Sequence, residues 1–426
     1  MSETLFGVTL PPRRGFSVPI QIVEQGGVTA WLVEDHSVPV VSLAWAWPGG
    51  AANDPVGREG LANFAAAMLS EGAGDLDNVG FADAMRDAGI GLSFSANRDS
   101  FDGSFRALSD ALPEAVRLAK LAMARPRLDA SAITRVRARA VLGARQALET
   151  PAGIARRAFW EAAYPGFPAG RLPTPESLTA ITDAEIRACL AAQLRQGGVM
   201  VAASGAINAA ALRALMSELF ADLPAGAPAP TPPLPTLAAF GTVRREKAAP
   251  QSTLMFGQDG LMPADPGWEG FQVALRILAG GGFTSRLMRT VREERGLTYG
   301  IGAGLDVLFG RGIVIGNVAT ENAKVGEVWG LVRAAWAEMA AGGPTAEEVS
   351  EAVAFLAGSL PLQFTDSRRT ASLLLGLRQT GRSPEWLAGR PARLAALDRA
   401  AVTAVAQRIL RPDGLVLAVA GEPQGL

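Results

Sequence analysis

The chain has 426 residues, 49% of them hydrophobic and 19% charged, with 40 basic against 41 acidic side chains for a formal net charge of −1. That length suits two or three domains with sizeable cores, and that balance gives nucleic acid or an anionic membrane no electrostatic handle. One histidine, His36, and one cysteine, Cys189, exclude an internal disulfide and a histidine-ligated hydrolytic zinc held by this chain alone, since zinc prefers nitrogen and sulfur donors.

The amino-terminal MSETLFGVTLPPRRG lacks a basic region followed by an apolar core, and no apolar run is long enough for a membrane span. The expected compartment is the cytoplasm, or the periplasm if a signal has been removed. Residues 28–33 (VTAWLV) and 40–47 (VVSLAWAW) read as strands joined by a turn that holds His36. A Ser-His-Asp or Cys-His site would need His36 as base, and no nucleophile elbow accompanies it. Trp45 and Trp47 share one strand face, as core or interface residues do. A helix is expected over 60–68 (GLANFAAAM), a second over 81–88, then paired strands at 90–96 and 100–107.

Alanine- and arginine-rich helices follow at 112–124 and 130–148. Arg135, Arg137, Arg139 and Arg145 read as a solvated helix face, and Glu149-Thr150-Pro151 as a helix end. Cys189, in the helical run IRACLAAQL, is expected as a buried structural thiol. A strand at 199–204 stops at Gly205, and a helix at 209–220 leads to APAPTPPLP at 227–235, whose prolines suit a stiff linker.

Beyond the linker the order recurs. LTAITDAEIRACLAAQLRQGGVMVAASG, ending at Gly205, matches LAALDRAAVTAVAQRILRPDGLVLAVAG, ending at Gly421, at an offset of 216 residues. EGLANFAAAMLSEG from Glu59 resembles EGFQVALRILAGGG from Glu269, at an offset of 210. The expected division is one α+β copy over 1–222, a proline-rich linker over 223–240 and a second copy over 241–426.

The second copy carries LAGGGFTSRLMRTVREERGLTYGIGAG, 278–304. Gly280, Gly281 and Gly282 form a loop open to close backbone approach. A helix is predicted over 284–295 with Leu287 and Val291 on one face, ended by Gly296, then a strand over 297–303. Arg286, Arg289, Arg292 and Arg295 repeat every three residues. They read either as a solvated face partnered by Glu293 and Glu294, or as a row from which Arg292 converges with Tyr299 seven residues on.

On these residues the chain resembles the pitrilysin/insulinase family of zinc metallopeptidases, in its short-chain branch with mitochondrial processing peptidase. The resemblance covers nearly the whole chain. It implies two homologous α/β-sandwich halves, mostly antiparallel sheet with helices on one face, closing as a clamshell. The active members carry His-x-x-Glu-His on the helix after the second strand, with a distant glutamate completing the zinc ligands. Here Asn63, Ala66 and Ala67 stand at the three motif positions, and 133–148 offers no carboxylate for the fourth. The VREERGLTYG motif does match, and implies that Arg292 and Tyr299 donate hydrogen bonds to a peptide and its developing oxyanion. The glycine loop, with Phe283 and Ser285, matches the substrate-contacting loop of the non-catalytic processing-peptidase subunit.

The resemblance therefore implies a zinc-free subunit of a heterodimeric metallopeptidase. Its partner chain would supply His-x-x-Glu-His and the zinc, and this chain would hold no cofactor of its own. The peptide substrate would lie extended in the chamber, and Arg292 and Tyr299 would complete the partner's site. The alternatives are a scaffold subunit resembling the core proteins of ubiquinol–cytochrome c reductase, and a protein that binds peptides without cutting them.

Overall fold

The computed structural model describes residues 17–426 and the backbone of two short paired strands, β1 (Thr4–Leu5) and β2 (Val8–Thr9). The rest of the amino-terminal stretch, on which the signal reading rests, lies outside the described residues.

The first half is built on six strands: β3 (Ile20–Gln25), β4 (Val28–Glu34), β5 (Val40–Pro48), β6 (Gly91–Ala96), β7 (Ser100–Leu108) and β8 (Met200–Gly205). They lie in the order β3-β4-β8-β5-β7-β6, antiparallel except for β4 against β8. Helices α1 (Leu61–Met68), α2 (Asn78–Asp87), α3 (Leu112–Ala124), α4 (Ala130–Glu149), α5 (Pro151–Ala163), α6 (Pro175–Ala180), α7 (Asp183–Gln193) and α8 (Ala209–Leu219) run between and after them.

The second half repeats the plan with β9 (Thr242–Glu246), β10 (Gln251–Asp259), β11 (Ile301–Leu308), β12 (Arg311–Glu321) and β13 (Val416–Gly421). Their order is β11-β12-β10-β13-β9, again with one parallel pair, β13 against β9. Its helices are α9 (Trp268–Leu275), α10 (Val325–Gly342), α11 (Ala346–Ser359), α12 (Ser367–Gln379), α13 (Pro384–Ala395) and α14 (Arg399–Ile409). In each half the last strand slots between the first two of the shared plan. Each of those last strands ends at a glycine, Gly205 and Gly421, where a Cβ would lie 2.0 Å from the Val40 carbonyl oxygen or 2.2 Å from the Ser252 hydroxyl. Only glycine admits that approach.

Strand residues alternate between the two faces of each sheet, and here both faces are buried. Leu43, Trp45 and Trp47 of β5 and Val201 and Ala203 of β8 pack into the first half's own helical layer. Their neighbours Ala44, Ala46 and Ala202, with Trp31, meet Ala371, Leu374 and Leu375 of α12, a helix of the second half. The exchange is mutual: Ile313, Val416 and Ala418 of the second sheet meet Ala158, Phe159 and Ala163 of α5, from the first half. Arg378 of α12 fixes the first of these contacts by donating to the carbonyls of Thr29 and Val201. Each half thus has its own helices on one face, as expected from the sequence, and one borrowed helix on the other. The near-continuous hydrophobic runs of β5, β8 and β13 are the signature of two-sided burial.

Candidate functional site

Helix α1 forms readily because four of its eight residues are alanine, the strongest helix former. Gly60 at its N-cap has no side chain to cap with, so Asp54 substitutes. Its Oδ2 accepts from the Gly60 N–H at 2.7 Å and its Oδ1 from the Ala62 N–H at 2.8 Å. Burial outweighs those two bonds and pushes the Asp54 carboxyl up to about 6.

Asn63 and Ala67 face a cavity of about 430 Å³ whose further walls include Phe64, Val136, Ala140 and Ala144, with Arg139, Arg156 and Arg157 around them. Ala66 is 1% exposed and belongs to the core. The amide of Asn63 and the methyl group of Ala67 face this cavity, with Ala66 turned into the core, and none of the three fits zinc, which takes thiolate, imidazole or carboxylate. Among the described residues, no group of three or more His, Cys, Asp or Glu is placed to hold a metal ion.

Between the halves lies a hollow of about 920 Å³, walled by Trp47, Asn63 and Asp99 on one side and by Trp268, Gln272 and Arg382 on the other. The β11–β12 turn reaches across it. The Asp99 carboxylate accepts from the Phe309 N–H at 2.6 Å, and Phe309 adopts a left-handed φ of 49°. Arg98 lies 3.5 Å from the Trp160 ring centre and donates to the Ala169 carbonyl at 2.8 Å; burial pulls its pKa down to about 10.

The motif of the second half is placed differently from the simple helix and strand expected. After Leu275, α9 widens into a π-helical turn, Arg276–Gly280, followed by a 3₁₀ turn, Gly282–Thr284. A second π-helical stretch, Met288–Glu293, carries Arg292. Such wide turns cluster at functional sites. Gly296 ends the helix with φ 63°, its N–H bonding to Arg292 O and that of Leu297 to Val291 O, a Schellman cap one residue wider than usual. Strand β11 begins at Ile301 and not at 297. The Thr298 hydroxyl donates to the Ala319 carbonyl and accepts from the Gly300 N–H, so a side-chain turn occupies the residues before the ladder.

The four arginines separate sharply. Arg286 makes a two-pronged bond to Glu348, Nε at 2.8 Å and Nη2 at 2.6 Å. Arg295 pairs with Glu327 at 3.3 Å and Arg289 with Glu294 at 4.0 Å. Arg292 has no carboxylate partner among the described residues. Its guanidinium lies 4.5 Å from the ring centre of Phe283 and 4.9 Å from that of Tyr299. Both rings are exposed, Phe283 at 61% and Tyr299 at 88%.

The structure therefore brings together Arg292, Tyr299 and Phe283, beside the exposed Gly280 and Gly282. Gly281 is tighter: a Cβ there would lie 2.8 Å from the Arg276 carbonyl oxygen. Ser285 is a correction. It is fully buried, and its hydroxyl donates to the Gly282 carbonyl and accepts from the Met288 N–H, so it shapes the loop and is closed to a ligand. Neither the loop nor Arg292 nor Tyr299 belongs to the walls of the hollow between the halves.

Elsewhere, His36 sits in an exposed turn beside Glu34, and Trp45 and Trp47 are fully buried. Cys189 packs against the first core, and burial pushes its thiol up to about 12. Arg135 and Arg139 do not simply face solvent but pair with Glu71, at 2.5 and 3.6 Å. One constellation escaped the sequence reading: Arg382, Arg390 and Arg393 gathered around Trp386. The four-residue spacing of Arg382, Trp386 and Arg390 was its signal.

The family model for the peptidase M16 inactive domain matches residues 180–356. A Helicobacter pylori protein described as the non-peptidase homolog YmxG is 23% identical over 349 residues, covering 80% of each chain. The crystal structure of a peptidase M16 inactive domain from Pseudomonas fluorescens superposes with a TM-score of 0.89 at 26% identity, over 95% of this chain and 98% of that one. A chain of Complex III2 from Candida albicans shares the fold, with a TM-score of 0.76 at 15% identity over 96% and 97%. No helix among the described residues is long and apolar enough to cross a membrane.

Proposed function

We propose that this chain, which belongs to the pitrilysin (M16) peptidase family as one of its inactive members, completes the active site of a zinc-bearing partner subunit. The partner supplies His-x-x-Glu-His and the zinc; this chain supplies Arg292, Tyr299, Phe283 and the glycine loop. The single observation that carries the reading is the state of Arg292. Three arginines of its helix have carboxylates, while this one is held between two exposed rings with its donors free. A guanidinium so placed is ready for an acceptor that arrives from outside, such as a peptide carbonyl or the oxyanion that develops from it. Arg292 lies outside the walls of its own chain's hollow, against the expectation that it faces the chamber, so the reading rests on its free donors and not on its place.

The experiment is reconstitution. The chain is mixed with a same-family subunit that carries the intact zinc motif, and hydrolysis of an unfolded peptide is followed. Activity is expected only in the mixture. Arg292→Ala and Tyr299→Phe should each lower kcat by about 10²-fold, with the assembly unchanged by size-exclusion chromatography. Full activity in both variants would leave this chain a scaffold, as in the ubiquinol–cytochrome c reductase reading.

A further inference from the structure

The hollow between the halves contains an arginine whose surroundings are as unusual as those of Arg292. Arg382 follows α12 in a tight cap: Gly381 has φ 69° and bonds to Arg378 O, and the Arg382 N–H bonds to Leu377 O at 2.9 Å. The backbone is therefore fixed, and it delivers the guanidinium between two indoles, 4.3 Å from the Trp268 ring centre and 4.1 Å from that of Trp386. Arg390 and Arg393 stand around the same Trp386.

Three guanidinium groups thus share one carboxylate, Glu269, and its Oε1 is already engaged. Arg393 takes it with Nε at 2.8 Å and Nη2 at 2.7 Å. Arg390 reaches Gln272 through Nη2 at 3.2 Å, but its Nε has no acceptor. Arg382 Nε and Nη2 and Trp268 Nε1 are also shut off from solvent without an acceptor. Four orphaned donors in one corner run against the rule that buried polar groups are satisfied. Burial with two arginine neighbours pulls the Arg382 pKa down to about 10, so the guanidinium stays charged at neutral pH. Trp268, Gln272 and Arg382 open on the hollow.

The geometry points to a carboxylate-binding subsite at Arg382 and Trp268, taking either the carboxyl terminus of a peptide or the side chain of an aspartate or glutamate within it. A guanidinium whose carbon lies within 4.3 Å of two ring centres is restricted in its motion, and its edge donors share its own plane, which matches the two oxygens of a carboxylate. The indole N–H of Trp268, which also lacks an acceptor, belongs to the same wall of the hollow. The inference rests on the expectation that the substrate peptide lies extended in the chamber, which is this hollow, and deepens it by naming what the peptide carries.

Two measurements on the full chain separate the subsite from that reading. In protein labelled with ¹⁵N-arginine, propionate and glutarate are titrated while the Nε–H resonance of Arg382, assigned by its loss in Arg382→Lys, is followed. A saturable shift is expected in the native chain. Separately, a fluorescent alanine-serine decapeptide is offered as the free acid, as the terminal amide, and as the amide with one internal glutamate. The free acid should bind about tenfold or more tighter than the amide, and Arg382→Met should erase the difference. Recovery of affinity in the glutamate peptide identifies the side-chain source; no recovery identifies the terminus. Equal binding of all three peptides with no shift from the small acids overturns the subsite and leaves the peptide reading standing. A saturable shift without binding of any peptide does the reverse.

Discussion

The two halves enter their first helix alike and leave it differently. Asp54-Pro55 precedes Glu59-Gly60 at α1, and Asp265-Pro266 precedes Glu269-Gly270 at α9. Asp54 accepts from Gly60 and Ala62, and Asp265 from Gly267. Glu59 pairs with Arg171 at 3.5 Å, and Glu269 with Arg393 at 2.7 Å. Beyond that shared entry, α1 presents Asn63 and Ala67 to a cavity walled by hydrocarbon and three arginines. The second half instead widens into π-helical turns and presents Arg292 between exposed rings. One frame therefore serves two outcomes, and the contacts that hold the frame are distinct from the side chains that could act on a ligand. Function has to be read from the latter.

The strongest challenge to treating the halves as equals is to remove the helix each lends the other. Phe159 of α5 and Leu374 of α12 are both fully buried in the opposite half's sheet. Phe159→Ala is expected to cost about 3–5 kcal/mol and Leu374→Ala about 2–5 kcal/mol, by lost burial plus the cavity left behind. Because the exchange is mutual, each should lower one shared transition in calorimetry. Two separate transitions, with only one moved by each substitution, would show the halves to be independent.

Next in size is a test of which side of α1 meets the cavity. Ala66→Glu places a carboxylate in the core and should destabilise by about 3 kcal/mol in urea unfolding. Ala67→His places an imidazole toward the cavity and should cost about 1 kcal/mol or less. Equal costs would mean that the helix is rotated from the orientation described.

The two capping aspartates should also titrate with opposite sign. Asp54 is pushed up to about 6, by burial first. A carboxyl raised above its unfolded value of about 3.8 contributes stability that is fully present below that value and lost as pH rises through about 6. The loss is on the order of 2–3 kcal/mol, and Asp54→Asn should flatten it. Asp265 is held below its ordinary value by the bonds from Arg408. Its contribution is present above the unfolded value and disappears as pH falls through the lower folded one. Unfolding free energies between pH 3 and 7 check both signs, and parallel profiles in the two Asp→Asn variants would refute the difference.

Much of this architecture was legible in the chain. Alternation and glycine punctuation located β4, β5 and β7 and the helices α3 and α4 to within a residue or two, because their signals are local. The offset between Gly205 and Gly421 exposed the repeat. The helix exchange was only latent: a strand such as VVSLAWAW announces burial on both faces but cannot say that the second cover comes from some 330 residues away. The carboxylates of Arg286 and Arg295 were equally out of reach, since Glu348 and Glu327 are 62 and 32 residues distant. Ser285 misled because a polar residue in a glycine loop resembles a ligand contact, whereas its hydroxyl serves the loop's own backbone.

The smallest effect is the most informative about the site. Arg286 and Arg292 lie on one helix, and stability should tell them apart. Arg286 is largely buried and bonded twice to Glu348, which in turn caps α11 through the Thr345 N–H. Its removal strands a carboxylate, and Arg286→Ala should cost about 2 kcal/mol. Arg292→Ala loses only two exposed cation–ring contacts, about 1 kcal/mol or less. In a double-mutant cycle its coupling to Tyr299 should be a fraction of that. If Arg292→Ala instead destabilises the isolated chain as much as Arg286→Ala, the guanidinium is a structural member. The free donors on which the proposed role depends are then already in use.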